Sequence, residues 1–370
     1  MGGGPSVVVV EKASNAQFSD GYLFYVRDRN LLAQVFDTGK LRVVGNPKPI
    51  AQGVEFFEAR DIGNFSVAGN ALVYRVSPLP RSRITWFDRM GRELGSIAEA
   101  GYYTGLRLSP DDRKAMLNQT DSNGENSDLW LADFERNTIS RSTFVSSPQL
   151  LSAAFSPDSS KMLISTATAF TTGKIWIQSV TGTGPPETLS ESGDLFYVND
   201  WSRDGKFVVG GVQDSKRGMD VVAIPLEGDR KPQPVVQTPF WEWNGRLSPN
   251  GKWLAYESAE SGQFEIYVTA FPGGGQKFQI SNGGGFSARW ASNGRELFYL
   301  GGPKIKVLPI RDPVSFAFAP AQDLISAEDI VGLDYDVAAD GQRLLVLRRV
   351  GQTASPSFTL ALNWKHLTGR

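Results

Sequence analysis

The chain has 370 residues, an ordinary share of hydrophobic side chains and a formal net charge of −1. It contains no cysteine and one histidine, His366. This composition excludes disulfides and thiolate catalysis, argues against a zinc site and gives no basic face for nucleic acid; no run reaches the ~20 apolar residues of a membrane helix.

Met1, Gly2, Gly3 and Gly4 read as a start and linker, with no secretory leader, ahead of one domain over residues 5–370. Residues 7–10 are four valines followed by Glu11 and Lys12, which reads as a strand. Residues 22–25 and 31–36 read as two further strands. From Ser66 onward a short phrase returns, at Ser109, Ser156, Ser202, Ser248, Ala291 and Ala338, always 43 to 47 residues apart. A fixed period of that size signals an array of equal supersecondary units.

One unit shows how each is built. Residues 245–247 enter as a strand, and Ser248, Pro249, Asn250 and Gly251 turn the chain. Proline presets the first central turn position and glycine takes the left-handed one. Residues 253–256, 264–268 and 277–280 supply three more strands rich in aromatic and β-branched side chains. Four antiparallel strands in about 45 residues make a propeller blade. Asp112 and Ser159 stand where other copies carry the turn glycine, at a cost of roughly 1–2 kcal/mol each. The turn acids Asp111, Asp158, Asp204 and Asp340 read as caps of their own turns.

The fold class is therefore all-β: a single closed β-propeller of four-stranded antiparallel blades. Eight groups are counted, or seven blades if the first group is an elaboration. The last group, with strands at 334–337, 344–346 and 358–362, lacks a fourth strand. The N-terminal strand at residues 7–10 is expected to fill that place and close the ring.

The turn phrase is similar to that of TolB-type, WD-like propellers. Several stretches resemble more narrowly the C-terminal propeller of bacterial, acidobacterial, eukaryotic-like serine/threonine protein kinases: residues 24–27 with 32–37, 85–89, 265–272, 294–299, 336–343 and Asn363 with Trp364. That resemblance implies an extracytoplasmic sensor module joined to a membrane signalling protein. It carries over no catalytic residue, since no kinase motif is present. Trp241, Glu242 and Trp243 depart from the polar segment usual there.

Loops on a rigid scaffold are where binding residues gather. The loops opposite the repeat turns carry Glu58, Arg60, Tyr102, Tyr103, Asp194, Tyr197, Asp200, Trp241, Trp243, Phe286, Arg289, Asp334 and Tyr335. These aromatics and charges can stack on and orient a small molecule, peptide or protein, or else pack between blades. Trp241 and Trp243 alternate and would share a side of an extended segment. Residues 121–128 offer oxygen ligands but miss the calcium-loop glycine, so an acidic surface turn is the expectation.

Catalysis is not expected. His366 lies near the end of the chain, away from any nucleophile motif, and residues 285–289 fail the Gly-x-Ser-x-Gly pattern at Arg289. The function expected is a non-catalytic ligand- or protein-binding sensor or scaffold, monomeric and without a cofactor. The alternatives are a carbohydrate-active enzyme using mouth carboxylates, which needs only two suitably spaced acids, and a free-standing periplasmic protein-interaction scaffold.

Overall fold

Strand follows strand from Gln17 to Leu362, and the 3₁₀ turn Trp364–Thr368 is the one helical element among the described residues. The computed structural model describes the chain apart from residues 1–7, 11–12, 28, 58–61, 77–78, 122–125, 144–148, 169–170, 191–195, 215–217, 274, 352–356 and 369–370. Its contacts divide into two compact units. One holds Met1–Pro80, Asp121–Glu125 and Gly351–Arg370; the other holds Arg81–Thr120 and Asn126–Val350.

The larger unit contains six sheets. Blade I is Tyr103–Leu108, Lys114–Thr120, Ser127–Asp133 and Thr138–Arg141. Blade II is Gln149–Phe155, Lys161–Thr168, Thr171–Ser179 and Glu187–Ser190. Blade III is Phe196–Trp201, Phe207–Asp214, Gly218–Pro225 and Gln233–Val236. Blade IV is Glu242–Leu247, Trp253–Ser258, Glu265–Ala270 and Lys277–Gln279. Blade V runs Phe286–Trp290, Glu296–Gly301 and Lys304–Asp312, then Gln322–Ser326, with the short Ala317–Phe318 also on Lys304–Asp312. Blade VI runs Ile330–Val337, Arg343–Arg349, Ser82–Asp88 and Glu93–Gly101.

The innermost strand of each blade adjoins that of the next, and blade VI returns to blade I. Among the described residues this unit shows six blades, where counting groups along the chain leads to an expectation of eight, or seven. Apolar clusters lie between neighbouring blades: Leu106 and Leu117 pack with Leu345 and Leu347, and Val209 and Val221 with Leu247 and Leu254. Gly245 permits one such approach, since a Cβ there would meet Val209 Cγ1 at 2.7 Å and Val221 Cγ1 at 2.9 Å.

Closure also differs from the expected one. Val8, Val9 and Val10 lie in no strand, and Val7 lies outside the described residues. Blade VI is completed by Ser82–Asp88, which pairs Arg343–Arg349 through Leu344↔Phe87 and Leu345↔Trp86. The strand Ser357–Leu362, expected beside Arg343–Arg349, pairs instead with Ala71–Val76. Two third strands have in effect changed places, and antiparallel ladders of similar β-rich side chains allow either pairing.

The smaller unit contains two principal sheets. One is Gln17–Ser19, Tyr22–Arg27, Asn30–Asp37 and Arg42–Ala51; the other is Phe65–Ala68, Ala71–Val76 and Ser357–Leu362, in that order. Gln17 joins them, accepting from Val67 N at 2.8 Å and donating to Phe65 O at 3.1 Å. Trp364 is fully buried edge-on to Phe24 at 4.7 Å and Tyr22 at 5.4 Å, and its indole N–H reaches Gly69 O at 2.7 Å.

The turns behave as their residues predict. Ser109, Ser156, Ser202 and Ser248 each donate to the turn carboxylate or amide two residues on, at 2.6, 2.6, 2.7 and 2.7 Å. Asp340 accepts from Gln342 N at 2.8 Å. Asp112 and Ser159 both adopt φ of 60°.

Candidate functional site

Each blade of the ring carries one residue two places before its turn. In order around the ring these are Arg107, Ala154, Asp200, Arg246, Arg289 and Asp336. All six line one cavity of about 170 Å³ at the turn end of the ring, with turn residues at its rim. The position belongs to an innermost strand and faces the middle of the ring; five of the six residues there are charged.

Local backbone geometry aims these side chains inward. The inner strands of blades III, IV and V shift register just before the position, between Val198 and Asp200, Trp243 and Arg246, and Phe286 and Arg289. Asn244 and Ser287 take φ of 52° and 54° at two of these bulges. A bulge re-aims the residue that follows it. Buried Glu257 holds both bulges, accepting from Asn244 Nδ2 at 2.8 Å and from Ser287 N at 2.7 Å. Burial pushes the Glu257 carboxyl above its ordinary range.

The acids are tied to the scaffold. Asp336 accepts from Val337 N at 2.9 Å and from Leu108 N of blade I at 2.9 Å. Asp200 repeats the pattern with Trp201 N at 3.0 Å and Leu247 N of blade IV at 2.8 Å. Burial raises Asp200, opposed by the charge of Arg246.

Two of the three arginines share a partner. Asp334 accepts from Arg107 Nη1 at 3.0 Å and from Arg289 Nη2 at 3.3 Å, while Arg289 Nε also donates to Tyr335 O at 3.1 Å. Arg246 is the exception. Its Nη1 donates to Asn199 O, but its buried Nε and Nη2 meet no acceptor. Burial, then the neighbouring Arg107 and Arg289, push the Arg246 guanidinium well below its usual range. Burial and Arg289 also lower Arg107.

The residues proposed from sequence fall in two places. Asp200 and Arg289 line the turn-end cavity, and Asp334 and Tyr335 hold Arg289. The aromatic residues sit at or before the starts of inner strands, away from that cavity. Tyr103 is buried with its hydroxyl 3.4 Å from Glu99 O, and Tyr102 O accepts from Thr120 N at 2.9 Å. Tyr197 packs on Trp243 at 5.1 Å, and Phe286 on Phe264 at 6.0 Å. Trp241 lies against Gly218, where a Cβ would come 2.6 Å from its indole nitrogen, and is 37% exposed. Glu58, Arg60 and Asp194 lie outside the described residues, as do residues 122–125 of the 121–128 loop. Arg107, Arg246 and Asp336 were missed by the loop-based search. Their signal is the column two before each turn, legible once the repeats are aligned.

A second cavity of about 230 Å³ adjoins the first, sharing Pro249 and Trp290 in its wall. Trp253, Phe316 and Pro313 make most of the rest apolar, with Ser248, Asn250 and Asn293 as its polar edge, and Pro313 O accepts from Trp253 Nε1 at 3.1 Å and Asn250 Nδ2 at 2.8 Å.

Among solved structures, the chain is similar to a TolB-like protein of Agrobacterium tumefaciens, with a TM-score of 0.57 and 16% identity over 74% of this chain and 99% of that one. It is also similar to TolB of Acinetobacter baumannii, with a TM-score of 0.50 and 11% identity over 93% of this chain and 81% of that one. No family model and no curated protein matches the sequence. The fold is that of the TolB-like β-propellers. Among the described residues no helix is long and apolar enough to cross a membrane.

Proposed function

We propose that this propeller is a non-catalytic binding module whose occupant enters the cavity at the turn end of the six-bladed ring. The observation that carries this reading is the convergence of six equivalent positions, three of them arginine, on one cavity. Pockets that gather a few polar groups within a rigid wall are the usual places for a ligand. The TolB-like fold is compatible with a protein or peptide as occupant. The stretches that resemble kinase-associated propellers support a sensor or scaffold role on the extracytoplasmic side of a membrane signalling protein, such as a serine/threonine kinase.

Hydrolysis of a sugar finds less support at this cavity. Asp200 and Asp336 each hold two backbone N–H groups from two blades, and Asp334 holds two arginines. These carboxylates fasten the ring together, whereas glycoside hydrolysis needs a pair of acids facing the substrate.

A plug tests the reading. Ala339 lies exposed at the cavity rim. In a thermal-shift screen of peptides, sugars and organic acids, ligands that raise the melting temperature of the native chain should lose their effect on Ala339→Trp. Hits that persist on the plugged variant would place the occupant elsewhere.

A further inference from the structure

We propose that the turn-end cavity takes a carboxylate, that of a peptide C-terminus, whose last side chain enters the neighbouring apolar cavity. This deepens the binding reading above and rests on it.

The guanidinium of Arg246 supplies the first argument. A buried donor without an acceptor is costly, and nearly all such groups in folded proteins find a partner. The residue is 6% exposed and lines the cavity, and its unmet atoms are Nε and Nη2. Those two nitrogens form one edge of the planar fork, with parallel N–H bonds spaced for the two oxygens of a carboxylate. Both nitrogens are closed to solvent, so a carboxylate would reach them only once the terminal bonds of the side chain turn that edge to the cavity.

The charges nearby select the size of the anion. Arg107, Arg203, Arg246 and Arg289 line the cavity with Asp112, Asp200 and Asp336, one positive charge in excess, and Asp334 pairs Arg107 and Arg289 from outside the lining. A single added negative charge answers Arg246; the second charge of a phosphate would meet the aspartates. The apolar cavity supplies the rest. It shares Pro249 and Trp290 with the charged one and is walled by Trp253 and Phe316, which suits an aromatic or aliphatic group next to the carboxylate.

Calorimetric titration of the full chain tests this with four probes: N-acetyl-Ala-Phe, its C-terminal amide, 3-phenylpropionate and inorganic phosphate. The free-acid peptide should bind at least about tenfold more tightly than the amide, a difference of about 1.4 kcal/mol. Arg246→Gln should abolish that preference, and Arg246→Lys should keep only part of it, with melting curves confirming that both variants fold. Tighter binding of the peptide than of 3-phenylpropionate supports a chain terminus; equal binding keeps the carboxylate and assigns it to a free acid, overturning the C-terminal part. Equal affinity for acid and amide, stronger binding of phosphate or no binding at all overturns the carboxylate site while leaving the cavity reading to its own screen. Acid binding that survives Ala339→Trp overturns both.

Discussion

The Asp336 carboxylate accepts the backbone N–H of Leu108 at 2.9 Å, joining the last blade of the ring to the first. Asp200 makes the same bond to Leu247, between blades III and IV. Removing such an acceptor leaves a partly buried N–H without a partner. Asp336→Ala should therefore destabilise the larger unit by about 1–3 kcal/mol. Urea unfolding followed by tryptophan fluorescence would measure it, and an unchanged midpoint would show that the bond contributes nothing.

The indoles of Trp241 and Trp243 should separate on mutation. Trp243 packs on Tyr197 and approaches Gly211, whereas Trp241 is partly exposed over Gly218. Trp243→Ala should cost about 2 kcal/mol, below the full range for a buried tryptophan because the residue is only half-buried. Trp241→Ala should cost less than about 1 kcal/mol. Equal losses of melting temperature would contradict this division.

Two of the repeat turns hold a left-handed residue where the others carry glycine, and they should respond oppositely. Ser159→Gly relieves its φ of 60° and gives up one exposed contact with Asp111 N, so it should stabilise the chain by up to about 1 kcal/mol. Asp112 has the same φ, but its carboxylate accepts from Ala339 N at 3.0 Å and meets Arg343 at 3.4 Å. Asp112→Gly should therefore gain nothing or lose stability in the same melting assay.

Hydrogen bonds from Ser156 Oγ, Ser160 N and Ser160 Oγ hold the Asp158 carboxyl down at about 2, from an ordinary 3.8. A depressed acid lends stability above its unfolded value and loses it as pH falls toward the folded one. Asp158→Ala should accordingly cost on the order of 1 kcal/mol at pH 7, less at pH 3, and least below pH 2. Paired denaturation curves at these pH values check the sign; a deficit that grows on acidification would contradict it.

The repeat made the blades legible, because each turn is local. Ser, Pro, Asp or Asn and Gly write their own hydrogen bonds within five residues, and the structure keeps them. The partition of blades into a ring was not legible for the opposite reason. Whether Ser82–Asp88 pairs with Ala71–Val76 or with Arg343–Arg349 is decided across more than two hundred residues, and all three strands have the same β-rich character. The charged column is present in the sequence, inside the repeats and not in the unrepeated loops. Arg107, Arg246 and Asp336 repeat in position while differing in kind, a pattern visible only when copies are compared place by place.

The strand exchange at blade VI has a consequence for how the molecule can be cut and joined. Every strand of the ring lies between Arg81 and Val350, and Val350 N donates to Arg81 O at 2.9 Å, so the two ends of that stretch lie side by side. Along the gene, all six blades fall within one stretch, from which only residues 121–125 are grouped elsewhere. With its ends side by side, such a stretch can be reopened at a turn without parting any blade from its neighbour.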